Sequence, residues 1–376
     1  MPPPPPPEPE DRAALSGGPS ADDLSGFVPR PRVSSRHHLP LSGLAVSRPA
    51  RQVLTWSGAR VAGGWGACRT AMGEVAPLWP GATGAAPPED AEVPPFLPRA
   101  IAGPLGAAPD FTRLLLDHLP RIVLAAAASP AATPILIDAT LPELLQAVLR
   151  LVLPESPLYP LAPGQWVQLG QLRVGQTGSL ADLTLAPEDL APLRQLRDRG
   201  AGPALGPRLL LWPEGGPPAL RNAALLRHQM MTRGCVAFDP AALPLPARIA
   251  ALSAAREVVV ADPAQMGDAL LAPAGARIFL LLPAGAALHP WALLGELAGQ
   301  EVTVVQGSGL YHRLRHRLMP RGRARVFHVD PHLILPFLPD PDERPEGLAP
   351  AALLDRLYGS AFEADVLTGA WAVAAG

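Results

Sequence analysis

Three times the chain runs from a short apolar stretch directly into Asp-Pro: Cys235-Val-Ala-Phe-Asp239-Pro240, Val258-Val-Val-Ala-Asp262-Pro263 and Val326-Phe-His-Val-Asp330-Pro331. An aspartate before a helix accepts a hydrogen bond from an otherwise unpaired N–H of the first turn. A proline at the first helical position gives up only an N–H that would have had no partner there. Each instance therefore predicts a sharp strand-to-helix turn. Strands joined through helices run parallel, because only a long crossover brings the chain back to the same edge. Arg208-Leu-Leu-Leu-Trp212 and the strand-like runs 277–282 and 301–306 are apolar without alternation, as strands covered on both faces must be. Helical patterns at 218–233, closed by Gly234, and at 291–298 fall between them. The expectation for 206–345 is a Rossmann-like domain.

The preceding segment repeats the alternation less regularly. In a helix over 113–128, Arg113, Asp117, His118 and Arg121 fall on one face and Pro120 predicts a kink. Pro134-Ile-Leu-Ile-Asp138 reads as a buried strand, and Thr140-Leu-Pro-Glu143 as a capping box opening a helix to 153. A strand over 167–174 and a helix over 187–199 follow. Before them, 52–58 and 59–63 read as short strands around a turn, and the Pro- and Ala-rich stretch 81–110 reads as a loop. Residues 51–205 are thus expected to form a β-rich segment plus a second Rossmann-like domain. The fold class is α/β, preceded by a Pro-rich disordered tail over 1–50 and followed by a C-terminal helix (350–358) and tail over 346–376.

Composition narrows the chemistry. Among 376 residues there are 50 prolines and no lysine, so the Lys+Arg total of 31 is entirely arginine. A Schiff-base lysine, a P-loop lysine and a kinase strand lysine are excluded. Aromatic content of 5% and a net charge of −2 give little for base stacking or for general attraction to polyanions. Cys68 and Cys235 are far apart, with no metal-type spacing, which suits a reducing cytoplasm. The acidic, Pro-rich N-terminus lacks the pattern of a signal peptide, and prolines interrupt the apolar stretch 278–294, so no membrane span is expected.

Candidate chemistry lies where strands meet helices. In a parallel α/β sheet ligands bind beyond the carboxyl ends of the strands, and helix starts there suit phosphate. Asp239, Asp262 and Asp330 occupy such edges, as helix caps or as site residues. Residues 312–325 carry Arg313, Arg315, Arg317, Arg321, Arg323 and Arg325 with no acid, which suits bidentate recognition of a diphosphate or a solvated loop. The Arg113–Asp117–His118–Arg121 face reads as an acid/base cluster or as an exposed face with ion pairs.

Leu115-Leu-Asp-His-Leu-Pro-Arg121 resembles the end of the first helical motif of glycosyltransferase family 61, and further blocks follow in that family's order. Asn222, followed by Arg233-Gly234 and Val236-Ala-Phe-Asp-Pro240, resembles its Asn…Arg-Gly…Asp-Pro block, and Phe327-His-Val-Asp330 its closing segment. Ser253-Ala-Ala-Arg-Glu-Val-Val-Val260 and Leu270-Leu-Ala-Pro-Ala-Gly-Ala-Arg277 flank the place of its Pro-His-Gly-Ala motif. The resemblance implies a GT-B-like pair of domains and transfer of a sugar from a nucleotide-diphosphate donor to a glycan or polysaccharide acceptor. Asp117 and Asp262 are then the expected catalytic positions. Arg113, His118, Arg121, Asn222, Asp268, Arg313, Arg315 and Arg317 are the expected substrate contacts. The chain departs from the family where Arg113 and Asp262 each replace a histidine, Asp268 replaces an asparagine, and Leu211-Trp-Pro213 replaces a strand end carrying arginine. These departures carry the alternative of a catalytically inactive relative acting as a binding or scaffold subunit. No resident metal or cofactor beyond the donor is implied, although an aspartate at 262 beside a diphosphate suits a divalent metal.

Overall fold

The computed structural model describes residues 51–79, 94–106, 108–180, 184–200, 202–217, 220–283, 286, 289–307, 327–331, 334, 335 and 338, and the backbone of 35–37. Arg313, Arg315 and Arg317, the C-terminal helix and most of the expected Pro-rich tail lie outside the described residues. The fold is mixed α/β, with two sheets on either side of a shared helical layer.

The first described strand, β1 (Ser35–His37), falls inside the stretch expected to be a tail, yet it pairs with the second sheet. The first sheet contains β2 (Gln52–Ser57), β3 (Arg60–Ala62), β4 (Ala67–Arg69), β5 (Val75–Pro77), β6 (Phe96–Ala102), β7 (Ile135–Asp138), β8 (Leu158–Leu161) and β9 (Trp166–Gln176). Its order is β5-β4-β3-β9-β6-β7-β8, with β2 continuing β3 alongside β9. Strands β6 to β9 are parallel to one another and β2 to β5 are antiparallel to their neighbours. The loop expected over 81–110 therefore contains a central strand. Strand β6 is hard to read because Pro94, Pro95 and Pro98 crowd it.

One helical run links β6 to β7: α1 (Phe111–Arg113), a π-helical turn at Leu114–His118, and α2 (Leu119–Ala127). In the widened turn Leu119 N–H donates to the carbonyl of Leu114, and Pro120, which has no N–H to continue an α ladder, follows at once. Helix α3 (Glu143–Val152) links β7 to β8. The expected capping box is absent there. The Thr140 hydroxyl donates to Asp138 Oδ1 at 2.6 Å, and Pro142 precedes the helix without a side-chain cap.

No helix separates β8 from β9, so the sheet must curl. Gly63, just past β3, bridges Pro163, just past β8, although β7, β6 and β9 lie between the two strands. One row makes the bend. Gly170 on β9 stands in register between Pro98 on β6 and Gly58 beyond β2, and Gly58 N–H donates to the Gly170 carbonyl at 3.1 Å. Alternation breaks at this row. Leu169 and Leu172 both point into the core inside the curl, with Ala59, Val61, Cys68 and Ala100. Gly58 has φ +64, a conformation cheap only for glycine.

After α4 (Ala191–Arg197) the second sheet begins. It holds β10 (Arg208–Leu211), β11 (Val236–Phe238), β12 (Glu257–Val260), β13 (Arg277–Pro283) and β14 (Glu301–Gly307), all parallel, in the order β14-β13-β12-β10-β11, with β1 antiparallel on β14. Counted along the chain, the parallel strands run 2-1-3-4-5, an order found in doubly wound sheets. Helices α5 (Ala223–Thr232), α6 (Leu245–Ser253), α7 (Met266–Ala269) and α8 (His289–Ala298) connect them. At the amino edge Arg208, Glu257 and Arg277 stand in one row of register. Glu257 takes Arg208 at 2.8 Å and also Arg277, pinning the starts of three strands.

A single apolar core crosses from Leu115, Ile122, Leu149 and Leu193 to Leu211, Ile249, Val260 and Leu280. The two halves are therefore packed together over a broad area. Among the described residues, no helix is long and apolar enough to cross a membrane.

Candidate functional site

The Asp-Pro turns form as short 3₁₀ segments, and the α-helices start later. Asp239 Oδ1 accepts from Ala241 N–H and Asp262 Oδ1 from Ala264 N–H, each at 2.9 Å, which caps Pro240–Ala242 and Pro263–Gln265. The third, at Asp330, follows only an isolated bridge between Leu220 and Phe327. Asp239 also acts beyond its own turn. Its Oδ2 accepts from Glu214 N–H at 2.7 Å, holding down the loop that follows β10.

That loop floors a cavity of about 710 Å³ at the carboxyl ends of β10 and β11, whose walls include Trp212, Glu214, Gly216, Arg227, Phe238 and Asp239. Gly215 and Gly216 both have positive φ, +78 and +84. Ala223 and Ala224, the first residues of α5, border the same space, and Asn222 places no side-chain cap on the helix. The cavity therefore receives the positive end of a helix, an arginine one turn further on, and two acidic residues, Glu214 in the loop and Asp239 at the end of the neighbouring strand. This combination fits a ligand carrying phosphate and hydroxyl groups.

Asn222 is occupied elsewhere. Its amide nitrogen donates to the Val329 carbonyl at 2.7 Å and its oxygen accepts from Val329 N–H at 3.2 Å, clamping 327–329 against the start of α5. Asp268 is 1% exposed and paired with Arg248, whose guanidinium lies 4.0 Å from the centre of the Phe111 ring. Burial raises the Asp268 carboxyl above the usual range, while Arg248 opposes the rise. Both side chains read first as structural.

Asp117 and His118 occupy the π turn, and Arg113 and Arg121 flank them. Arg113 is exposed and Arg121 buried. The His118 ring meets Trp79 edge to face at 4.9 Å between centroids. Burial raises the Asp117 pKa, against the Leu180 backbone N–H and the charges of Arg121 and Arg113. Burial, helped by the same two arginines, lowers His118 to about 4, leaving a neutral imidazole at neutral pH. The buried Asp117 Oδ1 and His118 Nδ1 have no hydrogen-bond partner among the described residues. A carboxyl with a raised pKa is suited to proton transfer. No hydrogen bond among the described residues joins the two side chains, so Asp117 would act without a bond from its chain neighbour.

Thr112 joins the two halves. Its hydroxyl donates to the Ala264 carbonyl at 2.8 Å and accepts from Gly267 N–H at 2.9 Å. Thr112 follows β6 and Ala264 follows β12, so the carboxyl edges of the two sheets meet here. Asp262 stands in the same turn. Among the described residues no hydrogen bond or ion pair joins Asp117 to Asp262, and no group of His, Cys, Asp and Glu is arranged to hold a metal ion. Trp212, the Gly215-Gly216 pair, Arg227, Thr112 and Arg248 were not among the expected site residues. The glycine pair between a strand and a helix was the readable signal for the cavity. Compared with known families and with curated proteins, the chain matches none.

Proposed function

We propose that the protein is a cytoplasmic, glycosyltransferase-like protein of GT-B-like architecture with two Rossmann-like halves. It takes a nucleotide-diphosphate sugar and passes the sugar to a glycan or polysaccharide. The observation that carries this reading is the cavity at the carboxyl ends of β10 and β11, with the open start of α5 on one side and Asp239 on the other. A diphosphate suits the helix start and Arg227, and ribose hydroxyls suit the carboxylate. Without lysine, arginine and backbone N–H groups must hold the phosphates. Asp117 is the preferred base, because its raised pKa brings it toward the operating range while Asp262 serves as a turn cap. The buried, unpaired thiols of Cys68 and Cys235 suit a reducing compartment.

A second reading, a binding subunit without transferase activity, draws on the structural engagement of Asn222 and Asp268. Titration calorimetry with several nucleotide-diphosphate sugars, with and without manganese, tests the first. Binding that weakens about tenfold or more in Arg227→Ala is expected from loss of a charge-assisted contact. Absence of binding at millimolar ligand ends both the transferase and the nucleotide reading. If binding survives and Asp117→Asn leaves transfer unchanged, Asp117 is not the base.

A further inference from the structure

Around the Gly58–Gly170–Pro98 row, the first sheet has a face on which register lines up exposed polar side chains, with no helix among the described residues packed over the β3–β4 end. Register places Arg69, Arg60, Gln168 and Phe96 side by side across β4, β3, β9 and β6. Beyond the broken row, Ser57, Gln171 and Arg99 stand side by side across β2, β9 and β6. Regular alternation would put residues three apart on opposite faces. The break returns Gln171 to the side of Gln168, because Leu169 and Leu172 both occupy the core inside the curl. Arg60 and Arg99 are exposed, and Phe96, 62% exposed, is one of few large apolar side chains presented to solvent among the described residues. Strands β2 to β6 and β9 contain Arg60, Arg69, Arg99 and Arg173 and not one Asp or Glu. Arg60 stands directly opposite Arg69, whose guanidinium also donates to the Gly73 carbonyl at 3.4 Å.

We propose that this face docks an anionic polysaccharide chain. Its carboxylates would meet Arg60 and Arg99, its hydroxyls Gln168 and Gln171, and the apolar side of one sugar ring would lie on Phe96. Charge complementarity selects a polyanion. An amide beside an arginine in each of the two rows suits a polymer dense in both carboxylates and hydroxyls, and guanidinium forks match carboxylate geometry. A nucleic acid fits less well, since a single exposed aromatic provides no platform for successive bases. The choice of a glycan also rests on the glycosyltransferase-like reading, and it adds a class of acceptor: an acidic one. The patch is small, so the contact is weak and salt-dependent.

The test uses the full chain and oligogalacturonate, with oligo-dT and neutral dextran oligomers as comparisons, followed by fluorescence anisotropy at low and physiological salt. Oligogalacturonate is expected to bind best and to lose about tenfold or more in affinity in Arg60→Ser/Arg99→Ser, as removal of two charged contacts implies. Phe96→Ser should weaken it less steeply and without changing the salt dependence. Equal binding by wild type and the double-serine variant, tighter binding of oligo-dT, or no binding at low salt would each overturn the proposal. Nucleotide-sugar calorimetry on the same variants keeps the two readings apart. Donor binding unaltered with no oligogalacturonate binding overturns the docking face alone, whereas oligogalacturonate binding without donor binding overturns the transferase reading alone.

Discussion

His118 shows how a single residue depends on its burial. Its pKa in the fold is about 4, against an ordinary 6.5. Between these values the unfolded chain binds a proton that the folded chain does not. Stability therefore rises with pH through this window, is fully present above 6.5, and is lost as pH falls toward 4. Asp117 acts in the opposite sense: its carboxyl is raised, so its contribution falls as pH rises past the ordinary carboxylate range. Urea denaturation of His118→Gln between pH 4 and 7 is expected to show a flatter slope than the wild type. An unchanged slope would place the acid sensitivity elsewhere. Buried ionic groups follow the same logic. Asp268 is almost completely enclosed with Arg248. Asp268→Ala leaves an uncompensated guanidinium beside Phe111 and is expected to cost about 3–5 kcal/mol, whereas replacing both partners with apolar residues should cost much less. Chemical denaturation of the single and double variants checks both.

At the scale of elements, the Asp-Pro turns were legible because capping chemistry is local: side chain and N–H are two residues apart at both Asp239 and Asp262. The apolar strands β10, β12 and β13 were legible for a related reason, since burial on both faces removes alternation. Elements shaped by distant partners were not. Strand β6 carries three prolines in or before it, and its status depends on pairing with β7 and β9. Strands β4, β5 and β8 are short, and only their neighbours make them strands. Thr140 resembled a helix cap, yet the carboxylate of Asp138 competes successfully for its hydroxyl. The bend row is likewise tertiary. Gly58→Ala is expected to destabilise by about 1–2 kcal/mol, the cost of a left-handed backbone for a residue with a Cβ. Its Cβ would also stand 3.2 Å from that of Ala71. Thermal unfolding of this variant beside Ser57→Ala separates the backbone cost from ordinary strand substitution.

At the scale of the molecule, two α/β halves share one core and meet at Thr112, where Gly267 has no space for a side chain: an added Cβ would lie 2.8 Å from Thr112 Cα. The candidate site was only partly legible. Asp262 lay where expected, at a carboxyl edge, because strand-turn-helix punctuation is written locally. Asn222 and Asp268 had residue types that suit a ligand, but long-range contacts to Val329 and Arg248 hold them. By itself the sequence determined the α/β class, the parallel character of 206–307, the Asp-Pro turns and the exclusion of lysine chemistry, since each follows from side-chain chemistry acting over a few residues. Tertiary structure alone decided the curl of the first sheet, the union of the two halves and the walls of the cavity. It also decided which acids are structural, because each of these depends on residues brought together from far along the chain, and a side chain's partners are fixed only when the chain closes around it.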